Sequence, residues 1–147
     1  MIVNLQRKFP LASKSFDAFA TSAALTVPES DGKAFSIAFV SDRRMKELNK
    51  FFRGSDSTTD VLSFPHEPDE YEQTASPEIT GGAGFLGDIV ISVEQAASQA
   101  AENGLTLEGE IKQLILHGLL HLCGYDHETD DGEMNARELE LREQLRI

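Results

Sequence analysis

Three of the four histidines in this 147-residue chain fall within eleven residues, His117-Gly-Leu-Leu-His121-Leu-Cys-Gly124-Tyr-Asp-His127. Residues four apart on a helix share a face, so His117 and His121 can hold one ion without distorting the backbone. A step of about 100° per residue puts Glu110, Gln113 and His121 within about 40° of His117, and Ile111, Ile115, Leu119 and Leu122 on the opposite side. The pattern predicts a helix packed by one stripe and turned toward a cleft by the other. Gly124, directly after the apolar run, can take the left-handed conformation that ends a helix. The chain then turns back, and His127 supplies a third nitrogen. Three imidazoles leave a fourth tetrahedral position for water, as in catalytic rather than structural zinc sites. A histidine pair alone would equally suit satisfied core side chains; the glycine and the third histidine favour the metal. Cys123 is an alternative ligand, although a neutral buried thiol is the preferred reading. His66, beside Pro65, reads as a surface residue.

The spacing H-x3-H-x2-G-x2-H is also that of metzincin peptidases, in which a glutamate directly after the first histidine serves as general base. Here that position is Gly118. A metal could still lower the pKa of its water toward about 7, but the peptidase proton relay is missing, and peptide hydrolysis is disfavoured.

Charge is unevenly placed. The net formal charge of −12 discourages nucleic-acid binding on average. Yet residues 1–53 are net +4, residues 54–147 are net −16, and no Lys or Arg lies between Gly54 and Ile111. Five cations fall between Arg43 and Arg53, with Phe51 and Phe52 beside the last. That segment is either a solvated helix face or a local anion-binding patch.

The elements that must position these groups follow from periodicity and punctuation. Strands are expected at 2–5, 34–40, 60–64 and 87–92, the third stopped by Pro65. Helices are expected at 15–25, from the Ser41-Asp42 cap to about Phe52, at 93–103 with Gly104 as C-cap, at 107–122 and at about 132–145. His66 to Gly82 is acidic and rich in Pro and Gly, and reads as a long loop. The expectation is an α+β fold, residues 1–147 as one domain, with about four strands in a small mixed sheet and about five helices.

Length and a 40% apolar content suffice for a buried core. The single cysteine excludes an internal disulfide and fits a reducing compartment. No apolar run is long enough to span a membrane, and the first residues lack a secretory pattern. A cytoplasmic protein is expected.

HGLLHLCGYDH resembles the signature of the YbeY family of endoribonucleases and ribosomal RNA maturation factors. Leu48-Asn-Lys-Phe-Phe-Arg53 looks like the family's arginine-bearing helix end. Thr58-Thr-Asp-Val-Leu-Ser-Phe-Pro65 and Leu86-Gly-Asp-Ile-Val-Ile-Ser92 resemble two of its strands. The likeness runs through the chain in order; the acidic loop 66–82 departs from it most. It implies a zinc-dependent, single-strand-directed endoribonuclease in rRNA processing, especially at the small-subunit 3′ end, and in ribosome quality control. By the same resemblance His117, His121 and His127 bind one Zn2+, with His117 and His121 catalytic, and Arg53 contacts RNA and is needed for activity. The expected partners are single-stranded rRNA and the ribosome or its subunit proteins, with no DNA and no membrane. A guanidinium can grip a phosphate with two parallel bonds, which suits Arg53 at the end of the basic segment. Asp60, Asp88 and Asp126 could orient the histidines or equally make local strand-end and turn hydrogen bonds. Two other functions fit the composition: a non-catalytic ribosome-assembly factor with structural zinc, and a metal-dependent hydrolase of another substrate.

Overall fold

A computed structural model describes residues 1–67 and 84–147; most of the acidic loop expected at 66–82 lies outside the described residues. Four strands and five α-helices are present among them: β1 (Ile2–Asn4), α1 (Ser13–Thr26), β2 (Ala34–Val40), α2 (Asp42–Arg53), β3 (Val61–Pro65), β4 (Phe85–Ser92), α3 (Val93–Asn103), α4 (Leu107–Leu122) and α5 (Glu133–Leu145), with a short 3-10 turn at Pro28–Ser30. The strand order is β1-β2-β4-β3; β1, β2 and β4 run parallel, and β3 is antiparallel at one edge. This is the expected α+β fold with a mixed four-stranded sheet.

Alternation along the strands divides the core. Phe35, Ile37, Phe39, Ile89 and Ile91 pack with Phe16, Phe19 and the apolar side of α4. Val40, Leu62 and Val90 form a second cluster with Met45 of α2, backed by Leu48 and Phe64. The sheet is therefore sandwiched, and α4 lies against the face that β3 and β4 offer it.

Helix α4 is more enclosed than its amphipathic pattern predicts. Leu114, Leu116, Gly118 and Leu120 are buried along with Ile111, Ile115, Leu119 and Leu122. Glu110, placed by the helical wheel on the cleft side, is itself buried. The reason is that α3, α1 and α5 all pack on α4 besides the sheet, so its exposed sector narrows around the histidines. Thr106 caps its first turn by accepting from the Gly109 N–H at 3.0 Å.

Candidate metal centre

At the C-terminal end of α4 the Tyr125 N–H donates to Leu120 O at 3.1 Å, and Gly124 takes φ 102°. This reversal, which the left-handed glycine permits, carries His127 back over the last turn. The three rings then form a near-regular triangle, with centroid separations of 4.8, 5.2 and 5.3 Å. One ligand nitrogen from each of His117, His121 and His127 lies within 4.8 Å of the others.

What holds the rings also selects their tautomers. His121 Nδ1 lies 3.0 Å from the Tyr125 carbonyl, and His117 Nδ1 lies 3.3 and 3.5 Å from the two carboxylate oxygens of Glu138. Both partners accept, so each Nδ1 carries the hydrogen and each Nε2 keeps its lone pair. Those two Nε2 atoms stand 3.2 Å apart. Two facing lone pairs repel unless a cation sits between them. With zinc–nitrogen distances of about 2.0–2.1 Å, two corners of a tetrahedron are about 3.3–3.4 Å apart, so the donor set fits the ion. Burial, reinforced by the two neighbouring imidazoles, lowers the His121 pKa and keeps the ring neutral, the form a ligand needs.

Glu138 is a buried carboxylate on α5. Burial alone would raise its pKa, but the bond from His117 and the charge of Arg142, whose Nη2 lies 3.4 Å away, outweigh it and hold the carboxyl below the ordinary range. It therefore stays ionised and can orient His117. Sequence reasoning missed it. The available signal was its place on the buried stripe Met134, Glu138, Leu141 of α5, where an acid is out of character.

The loop that carries His127 is tied down from outside. Glu29, in the 3-10 turn, accepts from Tyr125 Oη at 3.0 Å and from Arg137 Nε and Nη2 at 2.8 and 2.9 Å. The Arg137 bonds draw its carboxyl down to about 2. Cys123 lies outside the ligand cluster; burial raises its thiol to about 11, in keeping with the neutral thiol expected.

Arg53 reaches the site from the other side. Gly54, at φ 69°, ends α2, and the buried Asn49 donates from Nδ2 to Ser57 O at 2.8 Å, turning the chain back toward β3. Arg53 consequently lines the same open cleft as the three histidines, about 660 Å³ in volume, together with Asp60, Ser63 and Asp126. The cleft thus brings a cation and three imidazoles to one space, although about 60 residues separate them in sequence.

Among the described residues, no hydrogen bond joins Asp60, Asp88 or Asp126, the acids that could orient the histidines, to one of their imidazoles. Asp60 accepts from the Val61 N–H at 2.8 Å and from Gln99 Nε2 at 3.2 Å. Asp126 accepts from the Glu128 N–H at 3.0 Å, and the exposed Asp88 bonds Ser36. The Asp60–Val61 and Asp126–Glu128 bonds are the local strand-end and turn bonds of the alternative reading, whereas Gln99–Asp60 and the cross-strand Ser36–Asp88 pair tie elements far apart in sequence. His66 is exposed, with its ring against Phe85, centroids 5.5 Å apart.

Gly118 faces the sheet rather than the cleft. A Cβ there would approach Ile89 Cγ2 to 2.9 Å. The position occupied by the peptidase glutamate is thus used here for close helix–sheet contact.

A protein-family model described as endoribonuclease YbeY matches residues 2–146. A protein named endoribonuclease YbeY from Nautilia profundicola is 46% identical over 115 residues, covering 78% of this chain and 74% of its own length. One of the same name from Syntrophomonas wolfei is 38% identical over 145 residues, covering 97% and 92%. A solution structure of a protein from Thermotoga maritima superposes with a TM-score of 0.61 at 30% identity, covering 99% of this chain and 89% of that one.

Proposed function

The chain belongs to the YbeY endoribonuclease family, and from that premise we propose that it is a zinc-dependent endoribonuclease directed at single-stranded RNA. In this reading residues 1–147 work as one domain in the cytoplasm, in ribosomal RNA processing at the small-subunit 3′ end and in ribosome quality control, with the ribosome or its proteins as partner. The observation that supports it best is the meeting of Arg53 with the three histidines in one open cleft.

His117, His121 and His127 would hold one zinc ion, which when bound supplies a Lewis acid and a means of activating water. The chain's own groups do the rest. Glu138 and the Tyr125 carbonyl fix the two helical imidazoles in the tautomer that leaves Nε2 free. Arg53 carries the guanidinium that grips the phosphodiester and offsets charge developing on its oxygens. Its place at the end of α2, across the cleft from α4, suits it to position RNA rather than to ligate metal. The strongly acidic remainder of the chain keeps intrinsic RNA affinity low, so a ribosomal partner would supply part of the binding.

The test is to load the purified full-length protein with zinc, count the ions per chain, and follow cleavage of a single-stranded and a double-stranded RNA. One zinc per chain and preferential cutting of the single strand, lost on chelation and restored by zinc, are expected. A loaded protein that cuts neither RNA contradicts the catalytic reading and favours an assembly factor with structural zinc.

A further inference from the structure

The end of α2 carries two aromatic side chains that the metal centre does not use. Phe51 is 81% exposed and Phe52 56% exposed, while Met45 and Leu48 do the packing of that helix. Single exposed apolar residues need no explanation, but these two belong to an ordered row. The Phe51 and Phe52 ring centroids lie 4.8 Å apart with planes at 77°, and those of Phe52 and Phe64 lie 5.0 Å apart at 66°. Phe64 in turn packs on the core cluster beneath α2. Phe52 is therefore held between two rings in edge-to-face contacts, and Phe51 is the outer end of the row.

The surroundings of the row say what it suits. Lys50 and Arg53 share the last turn of the helix with the two rings, are exposed, and have no ion pair among the described residues. Arg43 and Arg44, a helix length away, are instead paired with Glu47. Arg53 follows Phe52 directly and lines the histidine cleft. Edge strand β3 lies between the row and the cleft: Val61, Ser63 and Pro65 line the cleft, whereas Leu62 and Phe64 belong to the α2 side. Arg53 thus joins the cleft to the end of α2 that carries the rings.

We propose that Phe51 and Phe52 form a base-stacking platform for the single-stranded RNA that flanks the scissile phosphate, with Lys50 holding the backbone of the flank beside the phosphate that Arg53 grips. The proposal rests on the ribonuclease reading above and extends it to how the substrate is held. Every base has a π-face, so stacking on aromatic side chains is tolerant of sequence. A duplex hides those faces, so a platform of this kind favours unpaired strands. Two unpaired cations beside the rings, in a chain that is otherwise strongly acidic, select a polyanion over an apolar protein surface.

The test compares zinc-loaded wild type with Phe51→Ala, whose side chain is too exposed for its loss to unfold the protein. Steady-state cleavage of an unstructured RNA is measured alongside inhibition by an abasic ribose-phosphate strand of equal length. The expected result is a KM raised about 5- to 150-fold, the span of one lost stacking contact, with kcat unchanged. The inhibition constant of the abasic strand should not move, since it offers no base. Phe51→Trp should keep the wild-type KM and Phe51→Leu should not. A KM for Phe51→Ala within twofold of wild type, or a weakening shared equally by the abasic strand, overturns the platform while leaving the ribonuclease reading standing. Wild type that cuts no RNA overturns both.

Discussion

Each helical imidazole has one nitrogen engaged by a neighbour, and those neighbours decide how well the other nitrogen can serve a metal. Glu138 is the one that can be changed by a side-chain substitution. Glu138→Gln keeps the shape and removes the charge, and should weaken zinc binding about 10- to 100-fold in a competition titration against a chromophoric chelator, with the fold unchanged. His117→Ala removes a ligand outright, and metal content and RNA cleavage should fall together; stoichiometric zinc in that variant would exclude His117 as a ligand. The three histidines could be read from spacing alone, because helical periodicity and a helix-ending glycine fix their geometry locally. Their supports could not. Glu138 is one of several acids on α5, and only its packing against α4 separates it from the rest. The Tyr125 contribution is a backbone carbonyl, which carries no side-chain signal at all.

The elements themselves were legible where the cause is local. The spans of β2, α3 and α4 follow from alternation, a serine or threonine cap and a terminal glycine, and the structure has the same limits. Limits set by pairing were not legible. β4 begins two residues earlier than its alternation suggests, because Phe85 pairs with Ala34 before an irregularity, after which Gly87 pairs with Phe35. Gly87, at φ 147°, is needed there, since a Cβ would run into the Phe64 carbonyl oxygen. Gly118 does the same for the contact between α4 and β4. In an exposed helix, Gly→Ala would stabilise by about 1 kcal/mol. Gly118→Ala should instead destabilise by about 1–3 kcal/mol in urea unfolding, because Ile89 must shift in a packed core. Gly118→Glu should misfold rather than acquire peptidase activity. Wild type with a full zinc site should cut no casein, and robust peptide cleavage dependent on His121 would contradict this use of the position.

Across the whole molecule, the parts of the site are held together by contacts far apart in sequence. Glu29, Tyr125 and Arg137 join the turn after α1, the loop that carries His127 and α5. The carboxyl of Glu29 falls from its ordinary 4.5 to about 2 in the folded chain. A lowered carboxylate stabilises the fold fully above about 4.5, and that contribution is lost as the pH falls toward 2. Urea unfolding of wild type should therefore weaken over this window more steeply than that of Glu29→Gln; parallel curves would show that the ion pair does not stabilise the fold. The charge segregation seen in the sequence has a spatial counterpart in the described residues, where Arg53 brings the end of the basic segment to a cleft otherwise lined by neutral and acidic groups. Whether that meeting makes a catalyst is decided by one rate: cleavage of a single-stranded RNA by Arg53→Glu at zinc occupancy and Tm matched to wild type. If Arg53 holds the scissile phosphate, the rate should fall about 10²- to 10³-fold, or about 2.7–4 kcal/mol of barrier, and Arg53→Lys should recover only part of it, having charge without the fork. Wild-type turnover in Arg53→Glu would contradict the assignment of Arg53 to the reaction.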